Sequence, residues 1–194
     1  ATFLGNFTYT QHGSGPWSVP IEVPGLADRV RNDTNNRLTL MVTGPAGNGT
    51  LFRIASKEAA QTSYFTTTGI PAGSAASKLV VDEPGEVIVS SFDHDGDGLA
   101  SGNGADTWIN ENGKTSNYGT GGDMRLRNQA SGNVQELAYV RFDLSAIAGK
   151  TTLSDAKLQL YDYRFNEGNL MSGKSYPVWA LVNESLDNWS ETGI

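Results

Sequence analysis

Apolar and polar residues alternate along much of the chain with a period of two. In Leu137-Ala138-Tyr139-Val140-Arg141-Phe142-Asp143-Leu144 one face carries Ala138, Val140, Phe142 and Leu144, and the other Tyr139, Arg141 and Asp143. A strand with one buried face reads this way, because successive side chains point to opposite sides of a sheet. The same pattern predicts strands over 37–43, with Leu38, Leu40 and Val42 inward, and over 50–55, 77–82, 86–91, 106–111, 122–128, 156–163 and 176–182. Gly, Asn, Asp and Pro cluster between them, as at Gly44-Pro45-Ala46-Gly47-Asn48-Gly49, where tight turns need their backbone freedom. Helical periodicity is scarce. The stretch 24–31 predicts one short helix with Leu26 and Val30 four apart on its buried side, and 144–148 a further turn or two. Many short strands so punctuated predict an all-β, jelly-roll-like β-sandwich with one short helix.

Composition narrows the function. The chain has 194 residues, 23 of them Gly, and a formal charge of −7. An acidic balance argues against nucleic acid and against an anionic membrane, since both need clustered Lys and Arg. No apolar run approaches the roughly 20 residues that span a bilayer, so membrane insertion is not expected. Cysteine is absent, which removes disulfides, thiol redox chemistry and thiolate metal sites. The first residue is Ala1, which reads as the start of a processed or excised segment of a longer extracellular or cell-surface protein.

The sharpest local motif is Asp93-His94-Asp95-Gly96-Asp97-Gly98. Carboxylates at alternate positions, closed by a glycine that permits a sharp turn, can converge on one hard cation. Calcium is the expected ion because it tolerates loose coordination. A complete loop of this kind ends on a bidentate Glu at its twelfth position, where this chain has Gly104. Asp106 is the candidate substitute, and the Leu99 carbonyl the candidate backbone ligand. The plain alternative is a solvated acidic linker.

Catalysis finds little footing. The two histidines are His12, in a Gly-rich stretch, and His94, inside the acidic motif; no nucleophile elbow, zinc-protease motif or phosphate loop appears. Asp106 and Glu111 form the sort of carboxylate pair a glycosidase uses, but 21 acidic residues generate such pairs by chance. The chain is read as non-catalytic.

Several motifs in order resemble a known family. They are Ala105-Asp106-Thr107-Trp108-Ile109-Asn110-Glu111, Ser116-Asn117-Tyr118-Gly119-Thr120, Gly122-Asp123-Met124-Arg125-Leu126-Arg127-Asn128, Ala138-Tyr139-Val140-Arg141-Phe142-Asp143-Leu144, Ala156-Lys157-Leu158-Gln159-Leu160-Tyr161 and Trp189-Ser190-Glu191-Thr192-Gly193-Ile194. Together they resemble the first part of a DNRLRE-type domain, related to the family-96 carbohydrate-binding modules of secreted proteins. Residues 1–83 resemble the part that follows in that family, so the halves stand in reversed order: 1–83 the C-terminal part of a sandwich module, 84–98 an acidic and Gly-rich junction, 99–194 the N-terminal part. Three arrangements satisfy this order. The chain is a window across a tandem array, a permuted single domain, or a subunit that neighbouring copies complete, because half a sandwich leaves an open apolar face and unpaired edges.

Two functions follow. The first is a structural module of a repeat-containing surface protein or self-assembling filament, stabilised by calcium and contacting neighbouring copies or domains of itself. The alternative is a module that binds a polysaccharide. For the latter, Tyr139, Arg141, Gln159, Tyr161 and Tyr163 form the expected outward set, with Arg125 and Arg127 nearby, since aromatic rings stack on pyranoses while polar groups bond the hydroxyls. Exposed Tyr and Arg also pair across strands without binding anything. Trp17, Trp179 and Trp189 read as core or corner residues, and Trp108 is open. Asn-x-Ser/Thr sequons at Asn6, Asn32, Asn48, Asn183 and Asn188 are candidate glycosylation sites, as is Thr66-Thr67-Thr68 for O-linked sugar.

Overall fold

The computed structural model describes residues 1–10, 20–56, 76–83, 85–90, 104–113, 116, 118–129, 134–147, 150–162, 172–187 and 189. Among the described residues eleven strands and one α-helix follow in chain order: β1 (Thr2–Thr8), β2 (Pro20–Glu22), α1 (Leu26–Arg31), β3 (Arg37–Thr43), β4 (Asn48–Ala55), β5 (Lys78–Glu83), β6 (Gly85–Ser90), β7 (Ala105–Asn110), β8 (Asp123–Gln129), β9 (Val134–Asp143), β10 (Ala156–Gln159) and β11 (Ser175–Ala180). They build two sheets. The first runs β1-β11-β3-β9-β8-β4 with β7 paired to β9, and the second runs β2-β10-β5-β6. The expected all-β sandwich with one short helix is what the strands form.

The strands of the two halves interleave. Six antiparallel pairings join a strand before residue 84 to one after residue 104: β1–β11, β3–β11, β3–β9, β4–β8, β2–β10 and β5–β10. One core lies between the sheets and draws on both halves. Leu38, Leu40 and Val42 of β3 meet Ala138, Val140 and Phe142 of β9, all fully buried, and the register sets Leu40 opposite Val140. At one end the rings of Phe7, Tyr9, Phe52 and Tyr176 form a chain, with centroids 5.2 Å apart for Phe7–Tyr176, 5.3 Å for Phe52–Tyr176 and 4.8 Å for Tyr9–Phe52. Tyr9 also donates to the buried Asp162 carboxylate at 2.6 Å, and burial together with that bond raises the phenol far above its usual range. The strand expected over 86–91 forms within the front part of the expected junction. Gly85–Ser90 forms a strand that pairs along β5 from Glu83↔Gly85 to Lys78↔Ser90, as the β-prone Val87-Ile88-Val89 favours.

Two local devices shape the first sheet. In β1 the register steps from Phe3↔Trp179 to Gly5↔Val178, so Leu4 is an inserted residue. Such a bulge re-aims its neighbours: Leu4 packs against the core while Phe3 turns out beside Trp179. In β9, Glu136 has Arg127 of β8 on one edge and Asn110 of β7 on the other. Leu137 onward exchanges β8 for β3 on that first edge. Gly44, just past the end of β3, therefore abuts the β8 backbone, and a Cβ there would lie 2.8 Å from the Arg127 Cα and carbonyl carbon.

Candidate functional site

The outer face of the first sheet carries a row of apolar side chains at right angles to the strands. Phe3 of β1 stands opposite Trp179 of β11, Trp179 opposite Met41 of β3, Met41 opposite Tyr139 of β9, and Tyr139 opposite Thr107 of β7. Val178, Ala180, Leu40, Val42, Ala138 and Val140, the neighbours of Trp179, Met41 and Tyr139 along their strands, are buried in the core, so the period of two puts these three outside, whereas Thr107 at the end of the row is itself buried. Strands about 4.8 Å apart give the span from Phe3 to Tyr139 a length of about 14 Å. The rings of Phe3 and Trp179 are 5.1 Å apart and tilted, and Phe3 is 47% exposed. Tyr139 is half-buried, which raises its phenol above the ordinary value. A second row on the same face holds Asn6 and Pro177 at one side and Thr43, Leu137 and Ile109 at the other.

Beyond β11 the chain folds back over the other flank of this face. Residues 181–187 and Trp189 form a strap fixed to α1 and to the loop between α1 and β3. Arg29 donates to the Leu181 carbonyl at 3.2 Å, Asn35 to the Glu184 carbonyl at 3.2 Å, and Thr34, through its backbone N–H and its hydroxyl, to the Glu184 carboxylate. Arg141 donates to the Asp187 carbonyl at 3.0 Å and to the Trp189 carbonyl. Its guanidinium lies 5.1 Å from the centre of the Trp189 ring. The Trp189 indole donates to the Thr39 hydroxyl at 3.1 Å. Burial lifts the Asp187 carboxyl above the usual range, while hydrogen bonding from Thr39 and Asn35 and the Arg29 charge act against that rise.

Residues 100–194 match the model of carbohydrate-binding module family 96. The second half of the chain is thus related to those modules. Comparison with curated proteins and with solved structures finds no match. The matched half contains Trp179, Tyr139, Thr107 and the whole strap, while Phe3 and Met41 come from the other half. Among the described residues no helix is long and apolar enough to cross a membrane.

The expected outward set does not share one surface. Tyr139 and Arg141 lie on the outer side of the first sheet, but Arg141 is only 8% exposed because Trp189 and the strap cover it. Gln159 belongs to β10 in the second sheet, opposite Lys78 and Pro20. Tyr161 follows it, with Lys78 Nζ 5.5 Å from its ring centre and its carbonyl accepting from Ala55 N–H at 2.8 Å. Alternation alone cannot tell which sheet a strand joins, and β10 pairs with β2 and β5 rather than β9. Arg125 and Arg127 sit on β8 in a separate cluster, each beside a carboxylate. Asp123 lies 3.3 Å from both Arg53 and Arg125, and Glu136 lies 2.9 Å from Arg127. The same cluster holds Trp108, in the core, stacked on Tyr118 at 3.9 Å with the Arg125 guanidinium 4.7 Å from its centre. Tyr163 lies outside the described residues.

Of the expected cation ligands, Asp93, Asp95, Asp97 and Leu99 also lie outside the described residues. Asp106 is fully buried on β7, opposite Val140. Among the described residues no group of three or more His, Cys, Asp or Glu could hold a metal. The sequons fall in different settings. Asn6 is exposed on the edge strand. Asn32 donates to the Asp28 carbonyl at 2.8 Å behind α1. Asn183 accepts from the Ser185 N–H at 3.2 Å and hydroxyl at 2.7 Å. The Asn48 side chain and Asn188 are outside the described part. Sequence reasoning missed Phe3, Met41, Trp179 and Trp189 as members of a face. The available signal was Trp179 itself, which alternates out of phase with the buried Tyr176, Val178 and Ala180.

Proposed function

We propose that the chain is a non-catalytic carbohydrate-binding module of an extracellular or surface protein, and that its polysaccharide ligand lies along the row Phe3–Trp179–Met41–Tyr139. The observation that carries this reading is the register that lines these four residues up on one outer face. The family match of the half that supplies Trp179 and Tyr139 supports a carbohydrate as the ligand. Physically, an open apolar row suits a sugar chain. Pyranose rings present C–H faces that pack on aromatic rings, while the hydroxyls around their rims stay in water or reach polar neighbours such as Asn6 and Thr43.

Affinity electrophoresis against a panel of soluble polysaccharides tests the proposal. The wild-type chain is expected to be retarded by at least one of them. Trp179→Ala is expected to weaken that binding roughly thirtyfold, the effect of losing a central aromatic anchor of about 2 kcal/mol. Equal retardation of the wild type and a folded Trp179→Ala protein would refute the placement of the ligand.

A further inference from the structure

The strap beside the apolar row is anchored on a buried acid. Asp187 caps the short turn Glu184–Leu186, its N–H donating to the Glu184 carbonyl at 3.3 Å, and it is fully buried. A second carboxylate, Asp33 just past α1, is 3% exposed and lies 3.6 Å from the Arg29 guanidinium. That guanidinium also donates to the Leu181 carbonyl of the strap. Among the described residues, Arg29 and Asp33 are the charged groups that act on the Asp187 carboxyl: Arg29 favours its anion and Asp33 opposes it. Thr39 of β3 and Asn35 of the preceding loop offer it hydrogen bonds. Arg141 of β9 donates instead to the Asp187 main-chain carbonyl. Glu184, on the strap itself, sits at the exposed rim with its carboxylate on Thr34.

An ionised carboxyl loses its water on burial, and a carboxylate close by adds repulsion; a proton relieves both costs. Burial acts most strongly here, and the Asp187 carboxyl sits above the ordinary range. Linkage fixes the sign. A carboxyl that holds its proton more tightly with the strap seated than released stabilises the seated strap at low pH. That contribution is lost as the pH rises through the value in the seated strap.

The strap also carries Trp189. Its indole donates to the Thr39 hydroxyl, and its ring packs on the Arg141 guanidinium. Thr39 and Arg141 are paired across β3 and β9, each two residues from Met41 and Tyr139. Residues two apart on a strand share a face and are about 7 Å from each other, so whatever loosens the strap changes the flank of the row.

We infer that Asp187 is a proton-operated latch: protonated, it seats residues 181–187 and Trp189 against the first sheet, and ionised, it loosens them beside the row. That the latch thereby regulates polysaccharide binding rests on the reading of the row as the platform; the latch itself does not.

Hydrogen–deuterium exchange of the whole chain, read on peptides spanning 181–187 from about pH 4.5 to about pH 8, tests the latch across and above the ordinary carboxylate range. In the seated strap the N–H groups of Leu181, Leu186 and Asp187 bond to the carbonyls of Thr39, Asn183 and Glu184, so they report its release. Taking each rate relative to Asp187→Asn at the same pH cancels the chemical dependence of exchange on pH. Protection in the wild type is expected to fall severalfold against that variant as the pH rises, because the amide does not ionise. Asp33→Asn, which removes the repulsion, should move the fall to lower pH, and Glu184→Gln should keep its direction. A ratio that stays flat or rises with pH overturns the inference, as does a fall that β3 and β9 share equally with the strap. Should Asp187→Asn fail to fold, a fall at the same pH in Asp33→Asn as in the wild type overturns it. No ligand enters this measurement, so a flat ratio leaves the platform standing, and a failure of every polysaccharide to bind leaves the latch standing.

Discussion

Phe52→Ala is expected to cost about 3–5 kcal/mol of stability, the range for removing a fully buried aromatic ring from a core. The residue sits on β4 in the first half of the chain, 2% exposed, between Tyr9 at 4.8 Å and Tyr176 at 5.3 Å. Tyr176 belongs to β11 in the second half and is itself stacked on Phe7. Removing Phe52 opens a void where the two halves meet, and the rings around it are tethered, Tyr176 by its strand and Tyr9 by its bond to Asp162, which limits collapse into the void. Typical domains have about 5–15 kcal/mol of total stability, so the loss should appear as a large drop in the urea midpoint. Phe52→Leu, which keeps most of the volume, should lose far less. A midpoint within error of the wild type for Phe52→Ala would mean that this ring cluster does not bind the halves together.

The second large effect belongs to a residue with no side chain. In Gly44→Ala the new Cβ would meet the Arg127 Cα and carbonyl carbon at 2.8 Å and its nitrogen at 2.9 Å. All three are backbone atoms of a strand bonded to β9 and to β4, so no rotamer change relieves the clash. Overpacking costs about 1–3 kcal/mol, and a rigid neighbour puts this substitution at the upper end. Gly47→Ala, three residues on, supplies the contrast. Its φ of +73° strains any L residue, but nothing lies within 4 Å, so it should cost only about 1–2 kcal/mol. Denaturant unfolding of both variants checks the order. A Gly44→Ala protein more stable than Gly47→Ala would contradict the junction of β3 and β8 along β9.

Much of the fold is legible in the sequence because its strands are half-buried. The alternation in Leu137–Leu144 names the inward residues of β9 correctly, and Leu38, Leu40 and Val42 do the same for β3, as their burial shows. Leu26 and Val30 likewise mark the buried side of α1. What the pattern cannot convey is adjacency. Tyr139 and Gln159 both read as outward, yet they stand on different sheets, since strand partners are chosen by contacts distant in sequence. Arg141 reads as exposed, and the strap that buries it is contributed by residues 46 and 48 positions away. The bulge at Leu4 is equally silent: a single inserted residue moves Phe3 to the opposite face without altering the composition of the strand. The apolar row is invisible for the same reason, because its four members, Phe3, Trp179, Met41 and Tyr139, come from four strands and from both halves.

That last feature makes the union of the halves the pivot of the account, since Phe3 and Met41 come from one and Trp179 and Tyr139 from the other. Thr8 and Ser175 face each other across β1 and β11 and are both exposed, and the chain has no cysteine of its own. Opposed residues of antiparallel strands have Cα atoms about 4.5–5.5 Å apart, within disulfide range. Thr8→Cys combined with Ser175→Cys, oxidised at low protein concentration and run on a non-reducing gel, is predicted to give a crosslinked monomer. Disulfide-linked multimers in place of that monomer, or thiols that never pair, would show that the two halves of one chain do not build this sandwich.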